Sequence, residues 1–236
     1  MPDSRPLYAV LIDADNIPAR HAAAVLKEVT RFGEPALRRV YGDWSAERLR
    51  PWAEQTRSLG LVAHQETANT KGKNASDIGL VIDAMDILHT GRFDGFVLVS
   101  SDSDFTALAN RIREQGLDVI GIGEAKAPES LRNVCNRFVL IENIAEEPEK
   151  ETGAEKPQGK MKPIEAVPLI RRAMDRIESD DEWYPLGQVG QYITAENPDF
   201  DTRSYGKRKL SDLVQELKAF ETRKGSGNQM MVRRLD

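Results

Sequence analysis

The sequence predicts a doubly wound α/β domain, a Rossmann-like three-layer parallel sheet, followed by a small winged helix-turn-helix. Three observations carry this. Short apolar runs alternate with helical-period segments over the first 144 residues, the pattern of βαβ units with right-handed crossovers. The run Phe96-Val-Leu-Val99 has no polar alternation, as a strand buried on both faces requires. After residue 162 the pattern changes to three helical segments closed by one hairpin.

Each element follows in order. Residues 7–12 read as the first strand. Ile17-Pro18 opens a helix, with proline early, where its missing N–H does little harm, and Val25, Leu26, Val29 and Phe32 form its buried face up to Gly33. Leu37–Tyr41 is a second strand, Glu47–Leu59 a second helix closed by Gly60, and Leu61–Gln65 a third strand. The polar stretch Glu66–Lys73 is expected to be irregular and carries Lys71 and Lys73. A helix over Ser76–His89 is predicted to turn Ile78, Val81, Ile82, Met85 and Leu88 inward. Then come the strand Phe96–Val99, a helix Phe105–Gln115, a strand Asp118–Ile122, a short helix near Pro128–Val134 and a sixth strand at Phe138–Ile141.

Residues 145–162 are charged and nearly free of apolar side chains, so they are expected to be an extended linker between domains at 6–144 and 163–236. The second domain reads as a helix from Ile164 to Ile177, one over Leu186–Thr194, a third over Ser204–Lys218, and a hairpin around Gly225-Ser-Gly-Asn228. Its charge is segregated. Residues 203–234 hold nine Lys or Arg against three acids, and residues 163–202 hold three against nine. Lys207, Arg208 and Lys209 on the third helix, with Arg223, Lys224, Arg233 and Arg234 on the wing, form the footprint of a polyanion binder.

Composition sets further limits. A net charge of −5 argues against a uniformly basic nucleic-acid coat. The single cysteine, Cys135, argues against an internal disulfide and any cysteine zinc site, and a buried thiol is expected. No apolar run approaches the length of a membrane span, and a cytoplasmic protein is expected. His21, His64 and His89 stand beside no acid pair and are expected to be structural or surface groups.

The candidate site comes from two strand ends. Phe96–Val99 runs into Ser100-Ser-Asp-Ser-Asp104, and Tyr8–Ile12 runs into Asp13-Ala-Asp-Asn16. Strand ends just before helices are where open α/β sheets bind ligands. Helix N-capping is the simpler role for such aspartates. Two pairs on one edge, however, gather like charges that need a cation, and oxygen-rich carboxylate clusters suit Mg²⁺ or Mn²⁺. Asp77, at the start of the Ser76–His89 helix, faces the same edge. Asp83, about 120° away around that helix, is not expected to reach the same metal and is left as an acid supporting the site from behind or on the surface.

Asp13-Ala-Asp-Asn16, Lys71-Gly-Lys-Asn-Ala-Ser-Asp77 and Ser100-Ser-Asp-Ser-Asp-Phe105 resemble the three signature motifs of NYN-domain proteins of the PIN-like ribonuclease superfamily, the LabA-like kind, over residues 6–144. Here Asn74-Ala-Ser76 separate Lys73 from the acid. The segment from Trp183-Tyr-Pro-Leu186 onward resembles an OST-HTH (LOTUS) domain. The resemblance implies a PIN-like fold and metal-dependent ribonuclease chemistry. Asp13, Asp77, Asp102 and Asp104 would be metal-binding acids, Asn16 would orient the acid or the phosphate, and Lys71 or Lys73 would steer phosphate. RNA would be the partner, and a homodimer is open. Two other readings remain. The sheet domain is a catalytically inactive scaffold in an RNA-binding protein, or, since Leu11-Ile-Asp-Ala-Asp15 also resembles the opening of haloacid-dehalogenase phosphatases, Asp13 is a nucleophile.

Overall fold

Leu7–Asp13 forms the central strand β1, six of its seven residues buried. Successive side chains of a strand point to opposite faces. Val10 and Ile12 accordingly enter one core and Ala9 and Leu11 the other. The computed structural model describes residues 5–65, 75–145, 161–179 and 181–235. The chain divides into two compact units, Met1–Pro148 and Glu149–Asp236.

In the first unit β1 is joined by β2 (Glu34–Gly42), β3 (Val62–Gln65), β4 (Gly95–Val99), β5 (Asp118–Gly123) and β6 (Arg137–Leu140). The sheet order is β3-β2-β1-β4-β5-β6, and every pairing is parallel. Helices α1 (Ala22–Val29), α2 (Trp52–Leu59), α3 (Ala75–His89), α4 (Thr106–Glu114) and α5 (Glu129–Val134) cover the two faces. Val25, Leu26, Val29 and Trp52 fill one core, and Leu80, Ala84, Leu108, Ile112 and Leu131 the other. This is the expected doubly wound three-layer fold. Its order reverses between β1 and β4, so the crevice for a ligand opens at the ends of those two strands.

Local departures have local causes. Pro18 is extended (ψ 136°), and a short 3₁₀ turn at Ala19–His21 precedes α1, so the helix begins later than Ile17. Pro51 divides the predicted second helix into a 3₁₀ turn, Glu47–Leu49, and α2. The inward face assigned to α3 is corrected. Ile78 and Ile82 are 60% and 59% exposed, while Leu80, Ala84, Ile87 and Leu88 are buried, with Val81 and Met85 at the margin. Both sides of this helix are apolar, so periodicity did not choose between them. Its docking against β1 and β2, with Asp83 bonded to Arg39 and Tyr41, sets the rotation.

In the second unit, α6 (Val167–Asp175), α7 (Leu186–Glu196) and α8 (Leu210–Glu216) surround a core of Ile170, Met174, Val189, Ile193, Leu213, Val214 and Val232. The hairpin is β8 (Phe220–Lys224) and β9 (Met230–Arg234). A two-residue strand, β7 (Tyr184–Pro185), adds antiparallel to β9 and was too short to show in the sequence. The predicted third helix is interrupted. A turn at Thr202–Tyr205 ends at Gly206, whose φ of +73° lies in the left-handed region that favours glycine. Lys207, Arg208 and Lys209 therefore precede α8 instead of riding on it. The expected linker falls mostly outside the described residues.

Candidate active site

Asp13 is the last residue of β1 and is 2% exposed. Its Oδ1 accepts the backbone N–H groups of Asp15 (3.1 Å) and Asn16 (3.2 Å), a side-chain-closed turn. Its Oδ2 accepts the Ser100 hydroxyl at 2.9 Å. The Ser100 oxygen also accepts the N–H of Asp102 (3.1 Å), and the Asn16 side-chain oxygen accepts the N–H of Ser101 (3.0 Å). Asn16 and Ser100 thus tie the β1 turn to the β4 turn across the crevice.

Neighbouring strands hold this arrangement in place. The Ser101 hydroxyl accepts the N–H of Glu124 (2.8 Å), just beyond β5. At Gly123 the two chains approach so closely that a Cβ would lie 2.6 Å from the Ser100 carbonyl oxygen. Asp102 accepts the N–H of Asp104 at 2.9 Å and caps the 3₁₀ turn Ser103–Phe105, so the capping role holds for this acid. Asp15 receives the Ser76 hydroxyl (2.7 Å) on one oxygen and the Arg48 guanidinium (2.6 Å) on the other. That contact brings the first turn of α3, and with it Asp77, to the crevice.

The acids act on one another. Burial, and then the Asp77 and Asp15 charges, push the Asp13 carboxyl up to about 7 against the pull of Ser100 and the Asn16 N–H. Asp77 is raised by burial, then by Asp102, Asp15 and Asp104. Asp13, Asp77, Asp102 and Asp104 therefore share one electrostatic neighbourhood. Among the described residues no three His, Cys, Asp or Glu side chains gather tightly enough to enclose an ion. The donors are all hard oxygens with excess negative charge. Such a donor set suits a hard divalent cation such as Mg²⁺ or Mn²⁺.

Asp83 stands apart, as expected, and accepts from Arg39 and Tyr41. Burial works to raise its carboxyl, but those two partners outweigh it and hold it low. Lys71 and Lys73 lie outside the described residues. Sequence reasoning missed Ser76, Ser100 and Ser101 as binding the site together, although Ser100-Ser101 were visible as a turn. It also missed Arg48, which is 33 residues from the acid it meets and left no local signal.

In the second unit the basic surplus is partly spent internally. Lys207 pairs with Glu216, Arg233 with Glu221 and Glu182, and Arg234 with Asp175. The Arg223 guanidinium lies 4.1 Å from the centroid of the Trp183 ring, and Arg233 reaches the same ring at 5.0 Å. Arg208, Lys209 and Lys224 are exposed. Among the described residues they form no ion pair.

Comparison with known proteins now places the chain. The NYN domain model matches residues 8–142, and the chain belongs to the NYN family, a branch of the PIN-like nuclease superfamily. The OST-HTH/LOTUS domain model matches residues 161–232 and points to RNA binding. The chain is similar to a crystal structure of a protein of unknown function from Vibrio parahaemolyticus (22% identity, TM-score 0.50, 60% of this chain and 96% of that one). That similarity concerns the fold alone. A solution NMR structure of an uncharacterized protein from Nitrosomonas europaea is 31% identical over 38% of this chain and 90% of that one, with a TM-score of 0.29. No curated protein matches the chain. Among the described residues no helix is long and apolar enough to cross a membrane.

Proposed function

We propose that this protein is a divalent-metal-dependent ribonuclease. In this reading Asp13, Asn16, Asp77, Asp102 and Asp104 form the active edge and residues 163–236 hold RNA. The observation that carries it is the pair of strand ends at the switch point of the sheet. There Asp13 and the Asp102 turn are linked through Ser100 and Asn16, and Asp77 is coupled to both by charge. Mg²⁺ or Mn²⁺, when bound, supplies Lewis-acid activation of water and neutralises charge on the phosphate. Asp13, Asp77, Asp102 and Asp104 would hold it. Ser100 and the backbone N–H groups of Asp15 and Asn16 fix the Asp13 carboxylate in one orientation. Asn16 keeps the two turns in register. Arg208, Lys209 and Lys224, with Arg223 on its Trp183 platform, offer phosphate contacts.

The test is cleavage of labelled single-stranded RNA by the full chain with Mg²⁺, with Mn²⁺ and with chelator, beside direct Mn²⁺ binding. Metal-dependent cleavage is expected, and unchanged cleavage in chelator overturns the reading. A second reading, an inactive scaffold that only binds RNA, draws on the spread of the acids: among the described residues none sits in a tight group of three. It predicts RNA binding with no cleavage under any metal.

A further inference from the structure

A groove of about 390 Å³ opens beside the β1 turn. Pro18 and Pro51 form its accessible apolar part, over the buried Ile17, Leu49 and Trp52, and Arg20 and Arg48 stand at its edge. Its volume is in the range of small-molecule sites. Asn16 belongs both to this groove and to the acid edge, where its side chain accepts from Ser101. The groove is therefore continuous with the site already described. The Trp52 indole N–H donates to the Ile17 carbonyl at 3.2 Å, so the indole's one donor is already satisfied.

We infer that this groove seats one nucleotide of the RNA strand next to the bond to be cut, its base and ribose on Pro18 and Pro51, above the buried Trp52, and its phosphate on Arg20 and Arg48. Charge complementarity points this way. The acid edge repels phosphate, whereas guanidinium groups take phosphate through paired, directional hydrogen bonds. An apolar floor accepts the face of any base, which suits a strand bound without sequence readout. Arg48 is committed to Asp15 through one nitrogen, but its side chain is 62% exposed. An ion pair that open is weak, and phosphate can share the guanidinium. Arg20 is exposed. This inference rests on the acid edge being the place of cleavage.

The test is read without metal and without turnover. The full chain carries three tryptophans, Trp44, Trp52 and Trp183, whose indole N–H signals are assigned by NMR with single Trp→Phe variants. Adenosine 5′-monophosphate, titrated in chelator at low salt, should shift the Trp52 signal saturably. Ribose 5-phosphate and adenosine should each bind at least about tenfold more weakly, since each lacks one half of the contact. Arg20→Ala with Arg48→Ala should raise the dissociation constant about tenfold or more, and Arg48→Lys should fall between. Both positions are exposed, and thermal melting verifies that the variants fold. A Trp52 signal that does not move, a response confined to Trp183, or an affinity untouched by the arginine changes overturns the inference. Failure of the nuclease reading looks different: RNA would go uncleaved under any metal, or cleavage would be unchanged in chelator, while the Trp52 response stood.

Discussion

The acidic edge and the basic wing are both clusters of like charge, but the chain treats them in opposite ways. Asp13 is buried, and among the described residues it is held by N–H and O–H donors and meets no cation. Asp77 is raised by burial and then by its acidic neighbours. In the basic half of the second unit, Lys207, ahead of α8, and Arg233 and Arg234, on the wing, are each paired with an acid of the same unit. Unrelieved charge in a crevice marks the place where the chain has given up stability, which functional sites do more often than other surfaces. Charge that is partly paired serves the fold with some of its groups and leaves the others for a partner.

The largest expected effect tests the acid side of this contrast. Asp13→Asn and Asp102→Asn should each lower RNA cleavage by about a hundredfold or more and weaken Mn²⁺ binding. End-labelling of the wild-type products should find 5′-phosphate and 3′-hydroxyl ends, as a water nucleophile requires. Cyclic phosphate ends would instead mean attack by the substrate's own 2′-hydroxyl. Wild-type activity in either variant removes the distinction between the two clusters.

A smaller effect probes how the acids are held. Gly123→Ala places a methyl group 2.6 Å from the Ser100 carbonyl oxygen and 3.0 Å from the Ser101 hydroxyl. Backbone must give way, at a cost of about 1–3 kcal/mol. Ser100 is the donor to Asp13, so cleavage should fall with stability, and by more than in an equally destabilised variant of the second unit. Equal losses would mean that the Ser100 contact does not matter to the chemistry.

The wing is probed by charge reversal. Lys207 is already paired, so Lys207→Ala alone should leave RNA affinity within about twofold, as exposed ion pairs contribute little. Arg208→Glu with Lys209→Glu should weaken binding about tenfold or more and flatten the salt dependence by roughly two. Fluorescence anisotropy across a salt series reads both numbers. A strong effect at Lys207 alone would show that RNA breaks the Glu216 pair and that the wing is less self-neutralised in use than at rest.

Much of this was legible because strand ends are. An apolar run that stops at an acid, twice, in a parallel alternation, places Asp13 and Asp102 before any coordinates exist. The helical face of α3 was not legible, because Ile78 and Ile82 are as apolar as Leu80 and Ile87, and only docking decides. The break at Gly206 was weakly signalled by a glycine within a helical pattern. Arg48 and Trp52 meet the β1 turn from more than thirty residues away, a pairing that local patterns do not encode.

The subtlest test concerns what the acid edge costs the fold without metal. In the unfolded chain the Asp13 carboxyl ionises near its ordinary 3.8, while in the fold burial holds it protonated up to about 7. The unfolded state therefore releases a proton that the folded state keeps. Below 3.8 both states carry the proton and the group contributes its full stability. As pH climbs from there to about 7 that contribution is lost, and above 7 it stays lost. Asp13→Asn removes the titration but keeps a side-chain oxygen for the N–H groups of Asp15 and Asn16. Its first unit should therefore match wild type near pH 4 and exceed it at pH 8 by about 1–2 kcal/mol in chelator. Adding Mn²⁺ should reverse the order, because only the wild-type carboxylate gains from the ion. If the two curves run parallel from pH 4 to pH 8, Asp13 is no more strained than the paired charges of the wing.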